Sequence, residues 1–370
     1  MIEVYNKALD SSIKVDRILG KIEGAKPGPT VVFFGGIHGN ETSGVFALKD
    51  ALACVNKTYV KGTIYGISGN LKALKKHIRF VQDDLNRLWT KLQIQKIKDK
   101  TVLNEDETEL LELLTVLEEI LKTNQPPFYF IDLHTTSSKT LPFITINDAL
   151  INRKFSEQFP VPIVLGIEEY LNGPLLSYIN KMGYVSLGFE SGQHDDFSAI
   201  TNSIAFVYLA LVYSGVLKEE AVINFKKYHE QLKEQANKNN TVFEVVYLHK
   251  IKKNERFKML NGFKSFELIK KGTKLAMSNA VEIESPYDGS IFMPLYQKKG
   301  AEGFFIIKPI KPFFLKLSAA LRRIKTDSFL AWLPGISWVS KKEGVLQVNL
   351  TVAKFLAKPL FHLLGYRNRQ

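Results

Sequence analysis

The stretch from Val31 to Thr42, VVFFGGIHGNET, constrains the fold more than any other part of this 370-residue chain. Its first four residues are β-branched or aromatic, and the run is too short for a typical helix, so we predict a buried strand. Two glycines then allow a sharp turn, and His38 and Glu41 follow before a helix-like stretch. Open α/β sheets place their chemistry at such strand ends. Taken alone, however, the His-x-x-Glu pair is better explained as a solvated loop, because two ligands do not make a metal site.

Apolar runs alternate with helix-like segments over residues 1–238. Strands are predicted over Val60–Ser68, Phe128–Leu133 and Tyr184–Phe189, and an amphipathic helix over Asn104–Lys122. This alternation predicts an α/β domain with a largely parallel sheet. Residues 239–310 instead contain short β-rich runs broken by Gly, Asn and Asp, which predict a small all-β C-terminal domain.

Residues 311–370 differ from both preceding regions and form a basic, apolar C-terminal extension. Phe313, Leu317, Leu321 and Ile324 lie on one face of a predicted helix, and Val352–Leu364 is similarly apolar and basic. Segments of this kind can lie on membranes. Docking against the chain's own domains or a second subunit is the simpler interpretation, and we expect it here.

The bulk composition excludes several classes of protein. The formal net charge of +13 favours anionic partners, but it is spread over many lysines without a nucleic-acid-binding motif, so we expect no nucleic-acid partner. The single cysteine excludes an internal disulfide framework and fits a reducing cytoplasm. No run of about 18 apolar residues exists to span a bilayer, and no signal peptide is visible. We therefore expect a cytoplasmic protein without a membrane partner.

His134 follows a predicted strand in the same way as His38. Two buried strands of one sheet can bring both imidazoles to one edge, where His38, Glu41 and His134 would supply three zinc ligands and leave the fourth position to water. Asp132 lies two residues back on the same face, so we expect it to hydrogen-bond an imidazole. The alternative for each histidine is an ordinary surface or core residue.

Two further polar clusters could complete an active site. Glu190 directly follows a third apolar strand, and a carboxylate there could take a proton from water and pass it to a leaving amine. Arg79 could polarise a scissile carbonyl, while Arg87 with the amide of Asn86 could clamp a substrate carboxylate. The alternatives are a surface or helix-capping acid and a solvated basic loop.

Four motifs, in this order and spacing, resemble the succinylglutamate desuccinylase/aspartoacylase family of zinc carboxypeptidase-like enzymes: GGIHGNE (35–41), IRFVQDDLNR (78–87), DLHTT (132–136) and FESG (189–192). The resemblance covers about residues 30–310. It implies a mixed, mainly parallel sheet flanked by helices and a small β domain that covers the site. It also implies one zinc ion on His38, Glu41 and His134, with Glu190 as general base and acid.

The same resemblance implies roles for the substrate-binding residues. Arg79 matches the arginine that polarises the carbonyl, and Asn86 with Arg87 matches the pair that binds the carboxylate of the amino-acid moiety. Tyr296 matches, in a loose alignment, a substrate-contacting tyrosine of the β domain. Aspartoacylases proper carry an arginine where this chain has Asn180, so N-acetylaspartate is not the expected substrate.

Together these residues predict a zinc-dependent amidohydrolase that cleaves a small N-acyl amino acid through a metal-activated water. A metallocarboxypeptidase acting on short peptides and a non-catalytic or membrane-peripheral binding protein are the alternatives. We expect a catalytic domain over 1–238, a small β domain over 239–310 and the extension over 311–370. The sequence does not decide whether the chain forms a homo-oligomer.

Overall fold

A computed structural model of the chain describes residues 1–323, 336–340, 345–349 and 361–366. The strands, in chain order, are β1 Ile2–Asn6, β2 Ser11–Val15, β3 Ile18–Glu23, β4 Lys26–Gly35, β5 Lys61–Ser68, β6 Phe128–Thr136, β7 Phe143–Ile146, β8 Ile163–Leu165, β9 Val185–Gln193, β10 Val242–Lys250, β11 Phe257–Met259, β12 Leu268–Ile269, β13 Lys274–Ser278, β14 Val281–Glu284, β15 Gly289–Phe292, β16 Glu302–Pro309, β17 Ile336–Ser340 and β18 Val345–Val348. The helices are α1 Ser43–Ala53, α2 Leu71–Lys76, α3 Lys91–Lys98, α4 Glu105–Thr123, α5 Leu150–Ser156, α6 Leu175–Lys181, α7 Phe197–Tyr213, α8 Phe225–Gln235 and α9 Pro312–Arg323.

Eleven of the described strands form one mixed sheet, in the order β12-β15-β16-β10-β8-β7-β9-β6-β4-β5-β3. The neighbours β5, β4, β6 and β9 run parallel to one another, as do β10, β8 and β7. An antiparallel pairing of β7 with β9 joins the two parallel groups. The predicted α/β class, with a mixed sheet flanked by helices, is therefore confirmed.

The apolar run at the end of β4 is buried because helices cover both faces of the sheet. Val31 and Phe33 pack into the cluster that contains residues of α1 and α7. Val32 and Phe34 pack into the opposite cluster, with residues of α3, α4 and α6. Successive side chains of a strand point to opposite faces, so a strand covered on both sides needs a continuous apolar run.

Some of the strands in residues 239–310 belong to the central sheet, and the others form a separate sheet. β10 pairs in parallel with β8, and β16, β15 and β12 continue the central sheet beyond it. β11, β13 and β14 form a separate antiparallel sheet. The division of the chain at residue 238 remains a prediction, since hydrogen bonding of the central sheet crosses it.

Helix α9, the first part of the C-terminal extension, packs against the chain's own α/β region. Ser318 is buried, and Nη1 of Arg322 lies 3.1 Å from Oδ1 of Asp148. Phe313, on the predicted apolar face, is 67% exposed. Ile324 and most of the predicted segment 352–364 lie outside the described residues.

No helix within the described residues is both long enough and apolar enough to cross a membrane.

Candidate metal centre and active site

The candidate site lies where the two central parallel strands β4 and β6 end. Gly35 at the end of β4 is in register with Leu133 of β6, so the residues that follow β4 meet His134 at the same sheet edge. Gly36 turns the chain with a φ of +74°, a conformation that favours glycine. The loop then passes so close to α2 that a Cβ added to Gly39 would lie 2.1 Å from a backbone carbonyl carbon.

Three predicted ligands converge at this edge. Nδ1 of His38 lies 2.9 Å from Oε1 of Glu41, and Nδ1 of His134 lies 3.0 Å from Oε2 of the same carboxylate. All three side chains are buried, and one potential ligand atom from each lies within 4.8 Å of the others. Two imidazoles and one carboxylate form a donor set that suits zinc. The described chain therefore contains a candidate His-Glu-His metal site.

A second carboxylate holds the other ring nitrogen of each histidine. Nε2 of His134 lies 2.6 Å from Oδ2 of Asp132, the contact predicted from their spacing. Nε2 of His38 lies 3.1 Å from Oδ1 of Asp84, a residue that no sequence signal identified. Carboxylates in this position orient metal-ligating imidazoles and raise their basicity, so these contacts favour Nδ1 as the metal-facing atom of both rings.

The electrostatics of the cluster also fit a cation. Burial disfavours the charged form of Glu41, but the charges and hydrogen bonds of His38 and His134 outweigh burial and hold the pKa of Glu41 well below its usual range. Burial also opposes a charge on His134, but Asp132 and Glu41 outweigh it and hold the pKa of His134 well above its usual range. Positive charge is thus strongly favoured between these carboxylates.

Glu190 lies beside the three candidate ligands. It is on β9, in register with His134 of the parallel neighbour β6. The side chain is buried, and its Oε2 has no hydrogen-bond partner within the described residues. Burial raises the pKa of Glu190 to about 8. A buried carboxylate oxygen without a partner is costly, and it fits a site built to receive another group.

The segment from Arg79 to Arg87 brings the predicted arginines to the same cavity. Nη1 of Arg79 lies 3.3 Å from Oε1 of Glu41, and its Nη2 lies 3.4 Å from Oδ2 of Asp84. Oδ1 of Asn86 accepts a hydrogen bond of 2.9 Å from the backbone N–H of Leu175. These contacts place the predicted carbonyl-polarising residue next to the candidate metal ligands.

Asp106, at the start of α4, holds this segment in place. It is buried, and its carboxylate accepts hydrogen bonds from three consecutive backbone N–H groups, those of Val81, Gln82 and Asp83. The side-chain amide of Asn70 donates a fourth, at 2.7 Å. No sequence signal distinguishes Asp106 from any other acid in the first turn of a helix.

Two residues considered from the sequence lie outside the cavity lining. The hydroxyl of Tyr296 donates to the carbonyl of Leu260 at 2.8 Å and accepts from the N–H of Phe263 at 3.1 Å. Asn180 donates to the carbonyl of Tyr184. The residues of α6 that line the cavity are Leu176 and Ser177, and Asn180 is not among the described lining residues. The structure thus brings neither Tyr296 nor Asn180 to the candidate ligands.

The cavity has a volume of about 130 Å³ and combines the polar cluster with an apolar wall. His194, which no sequence signal identified, lines it and contacts Thr135 Oγ1 at 2.8 Å and Gln297 Oε1 at 3.2 Å. Apolar side chains from three parts of the chain complete the lining: Ile146, Ile167, Leu171, Leu176, Met293, Leu295 and Phe305. An apolar lining with a few converging polar groups is typical of small-molecule sites.

Comparisons with known proteins agree with this architecture. Residues 27–207 match the family model of the succinylglutamate desuccinylase/aspartoacylase catalytic domain. A crystal structure of succinylglutamate desuccinylase/aspartoacylase from Rhodobacter sphaeroides matches with a TM-score of 0.60 and 16% identity, over 79% of this chain and 88% of that one. The product-bound ectoine utilization protein EutE (DoeB) from Ruegeria pomeroyi matches with a TM-score of 0.59 and 17% identity, over 78% and 87% of the two chains.

A third solved structure, succinylglutamate desuccinylase from Vibrio parahaemolyticus, matches with a TM-score of 0.55 and 13% identity, over 79% of this chain and 86% of that one. At these identities the structural likeness establishes the fold alone. No curated protein sequence matches the chain.

Proposed function

From the match of residues 27–207 to the catalytic-domain model of the succinylglutamate desuccinylase/aspartoacylase family, we propose that the chain is a zinc-dependent hydrolase that cleaves the amide bond of a small N-acyl amino acid. The proposal rests on one observation above all. The Nδ1 atoms of His38 and His134 converge on the carboxylate of Glu41 in the wall of a cavity that Glu190 also lines. Three such ligands leave a fourth position open, as in catalytic zinc sites.

The residues around the candidate ligands fit a bound cation. Asp84 and Asp132 already orient the two imidazoles, and the buried Oε2 of Glu190 lacks a partner within the described residues. A zinc ion held by His38, Glu41 and His134 would supply Lewis acidity, which activates water and polarises an amide carbonyl.

Glu190 is proposed to carry the proton. Its carboxylate accepts a proton from the attacking water and then donates it to the nitrogen of the leaving amine. For this role Glu190 must first be ionised, and a cation beside His134 favours the ionised form by opposing the burial that raises its pKa. Because Glu190 is in register with His134, its carboxylate lies near the candidate metal ligands.

Arg79 and the Asn86-Arg87 pair are proposed to bind the two ends of the scissile group. Arg79, which already lies among Glu41 and Asp84, donates to the carbonyl oxygen as negative charge develops there. The guanidinium of Arg87 and the amide of Asn86 receive the carboxylate of the amino-acid moiety. Contact between Tyr296 and the substrate stays a prediction, and its hydroxyl is otherwise occupied.

The shape of the cavity argues against the peptidase alternative. Pro294, Leu295, Gln297 and Gly300, which follow β15, form part of its wall. A wall at this place limits the length of a substrate that reaches the candidate ligands, whereas a peptidase binds an extended chain, so we favour a small substrate.

The decisive experiment is a hydrolysis screen of the full-length protein, with zinc content measured in parallel. N-acetyl, N-succinyl and longer N-acyl amino acids are compared for wild type, Glu190→Gln and the exposed control Glu284→Gln. We expect turnover by the zinc-loaded wild type and the control, and a loss of about 10²–10⁴-fold in Glu190→Gln with zinc retained. Full activity of zinc-loaded Glu190→Gln would refute the assigned mechanism, and no turnover of any N-acyl amino acid would refute the proposed function.

A further inference from the structure

Arg87, assigned above to a substrate carboxylate, has a carboxylate partner from the β-rich part of the chain. Oε1 of Glu302, the first residue of β16, lies 3.0 Å from its Nη2 and 3.3 Å from its Nε. Nη1 of Arg87 donates to the backbone carbonyl of Asn86 at 2.9 Å. A guanidinium has five N–H donors, so these contacts leave one donor on Nη1 and one on Nη2.

Glu302 retains binding capacity of its own. Its side chain is 18% exposed and lines the cavity together with Arg87. Within the described part of the chain, its second oxygen, Oε2, makes no hydrogen bond, and its cross-strand neighbour Lys250 forms no ion pair with it. The cavity wall therefore offers two donors of a guanidinium next to a free carboxylate oxygen.

This pair discriminates between ligand charges. A ligand that carries only carboxylates would meet Glu302 as a like charge, which is costly in a partly desolvated site. A ligand that carries a carboxylate and an ammonium group finds a complementary partner for each, with hydrogen bonds strengthened by charge. Glu302 and Asp84 outweigh burial and raise the pKa of Arg87, so the guanidinium stays charged beside Glu302.

We propose that Arg87 and Glu302 form a binding site for a zwitterionic group, and that the amine half of the substrate is a diamino acid with one acylated and one free nitrogen. This inference rests on the proposed amide hydrolysis and narrows its substrate class. Arg87 takes the carboxylate through its two remaining donors, and Glu302 takes the ammonium group through Oε2. Glu302 is then the residue that determines specificity.

Binding without turnover tests the site independently of catalysis. The Nα-acetyl derivatives of ornithine, norvaline and glutamate differ in side-chain charge, and only the first carries an ammonium group; their affinities for zinc-loaded, full-length Glu190→Gln are measured by calorimetry. We expect the ornithine derivative to bind at least ten-fold more tightly than the other two. Glu302→Gln keeps an oxygen that can accept from Arg87 but removes the charge, and should abolish most of that preference. The exposed control Glu282→Gln should keep it.

Turnover of the corresponding Nα-acetyl amino acids completes the test, since kcat/KM should follow the same order and shift in the same way in Glu302→Gln. Equal binding of the Nα-acetyl derivatives of ornithine and norvaline would overturn the inference. So would a loss in Glu302→Gln that is equal for all three ligands, because a purely structural ion pair would act in that way. A preserved binding preference without any turnover would support the zwitterion site and refute the proposed hydrolase instead.

Discussion

Oδ2 of Asp132 lies 2.6 Å from Nε2 of His134, while Nδ1 of the same imidazole lies 3.0 Å from Glu41. The ring is thus held between two carboxylates, and only its Nδ1 side faces the other candidate ligands. Asp84 holds His38 in the same way. Both imidazoles are thus oriented by protein carboxylates, which is the support that a metal site requires.

Removing the outer carboxylate should weaken metal binding without removing a ligand. We expect Asp132→Asn to bind zinc about 10–100-fold more weakly, because the amide orients His134 less strongly and no longer raises its basicity. Competition with a chromogenic chelator measures the change. The exposed Asp99→Asn serves as the control and should bind zinc as wild type does. Equal affinity of Asp132→Asn and wild type would show that the contact does not support a metal site.

Asp106 should matter for both stability and catalysis, although it lies outside the cavity. Its carboxylate accepts four hydrogen bonds, and Asp106→Asn would turn an N–H₂ group toward backbone donors. We expect a loss of about 3 kcal/mol in the free energy of unfolding, together with a fall in kcat/KM as Arg79 and Asp84 lose their support. Urea unfolding and kinetics test this against exposed Asp50→Asn. A loss of stability without any change in kcat/KM would show that Asp106 does not support the active-site residues.

The buried Glu190 predicts how the stability of the metal-free protein depends on pH. Its folded-state pKa of about 8 is raised above the unfolded value of about 4.3. Between these values the folded state binds the extra proton, so the free energy of unfolding falls as pH rises through this interval. Glu190→Gln has no ionisable group at this position, so its free energy of unfolding lacks this dependence on pH. We therefore expect the metal-free variant to gain stability relative to metal-free wild type from pH 5 to pH 8.

Thermal or urea unfolding of both metal-free proteins across that range measures the effect. Glu282→Gln, an exposed substitution of the same kind, should follow wild type at every pH. A constant difference between Glu190→Gln and wild type would contradict the raised pKa.

Substitution of two neighbouring arginines tests how α9 is held against the rest of the chain. Arg322 contacts the buried Asp148 through Oδ1 at 3.1 Å and through its backbone carbonyl at 2.7 Å, while Arg323 is exposed. Arg322→Ala leaves Asp148 with Arg153 as a partner, so we expect a loss of about 2 kcal/mol and faster proteolytic cleavage within 311–323. Arg323→Ala should change neither. Equal cleavage rates of the two variants would show that the ion pair does not hold the helix.

Much of the fold could be predicted from local sequence patterns. The apolar run that ends β4 identified a buried strand, and helix α4, Glu105–Thr123, lies within one residue of the range predicted from its apolar periodicity, Asn104–Lys122. The strands were predicted to end just before His134 and Glu190, which pointed to one sheet edge, although in the structure β6 and β9 extend past both residues. Such features depend on periodicity and on neighbours along the chain, which the sequence records directly.

The partners of these residues were decided by the tertiary structure. Asp84 contacts a histidine 46 positions away, and Glu302 contacts an arginine 215 positions away. The hydroxyl of Tyr296 points to a backbone carbonyl instead of the cavity, although its position in the chain allowed either. The sequence by itself determined the buried strands and the candidate ligands at their ends. Which carboxylates orient those ligands, and which one faces Arg87, depends on how distant loops pack, because hydrogen bonds form between atoms that the fold brings within about 3 Å.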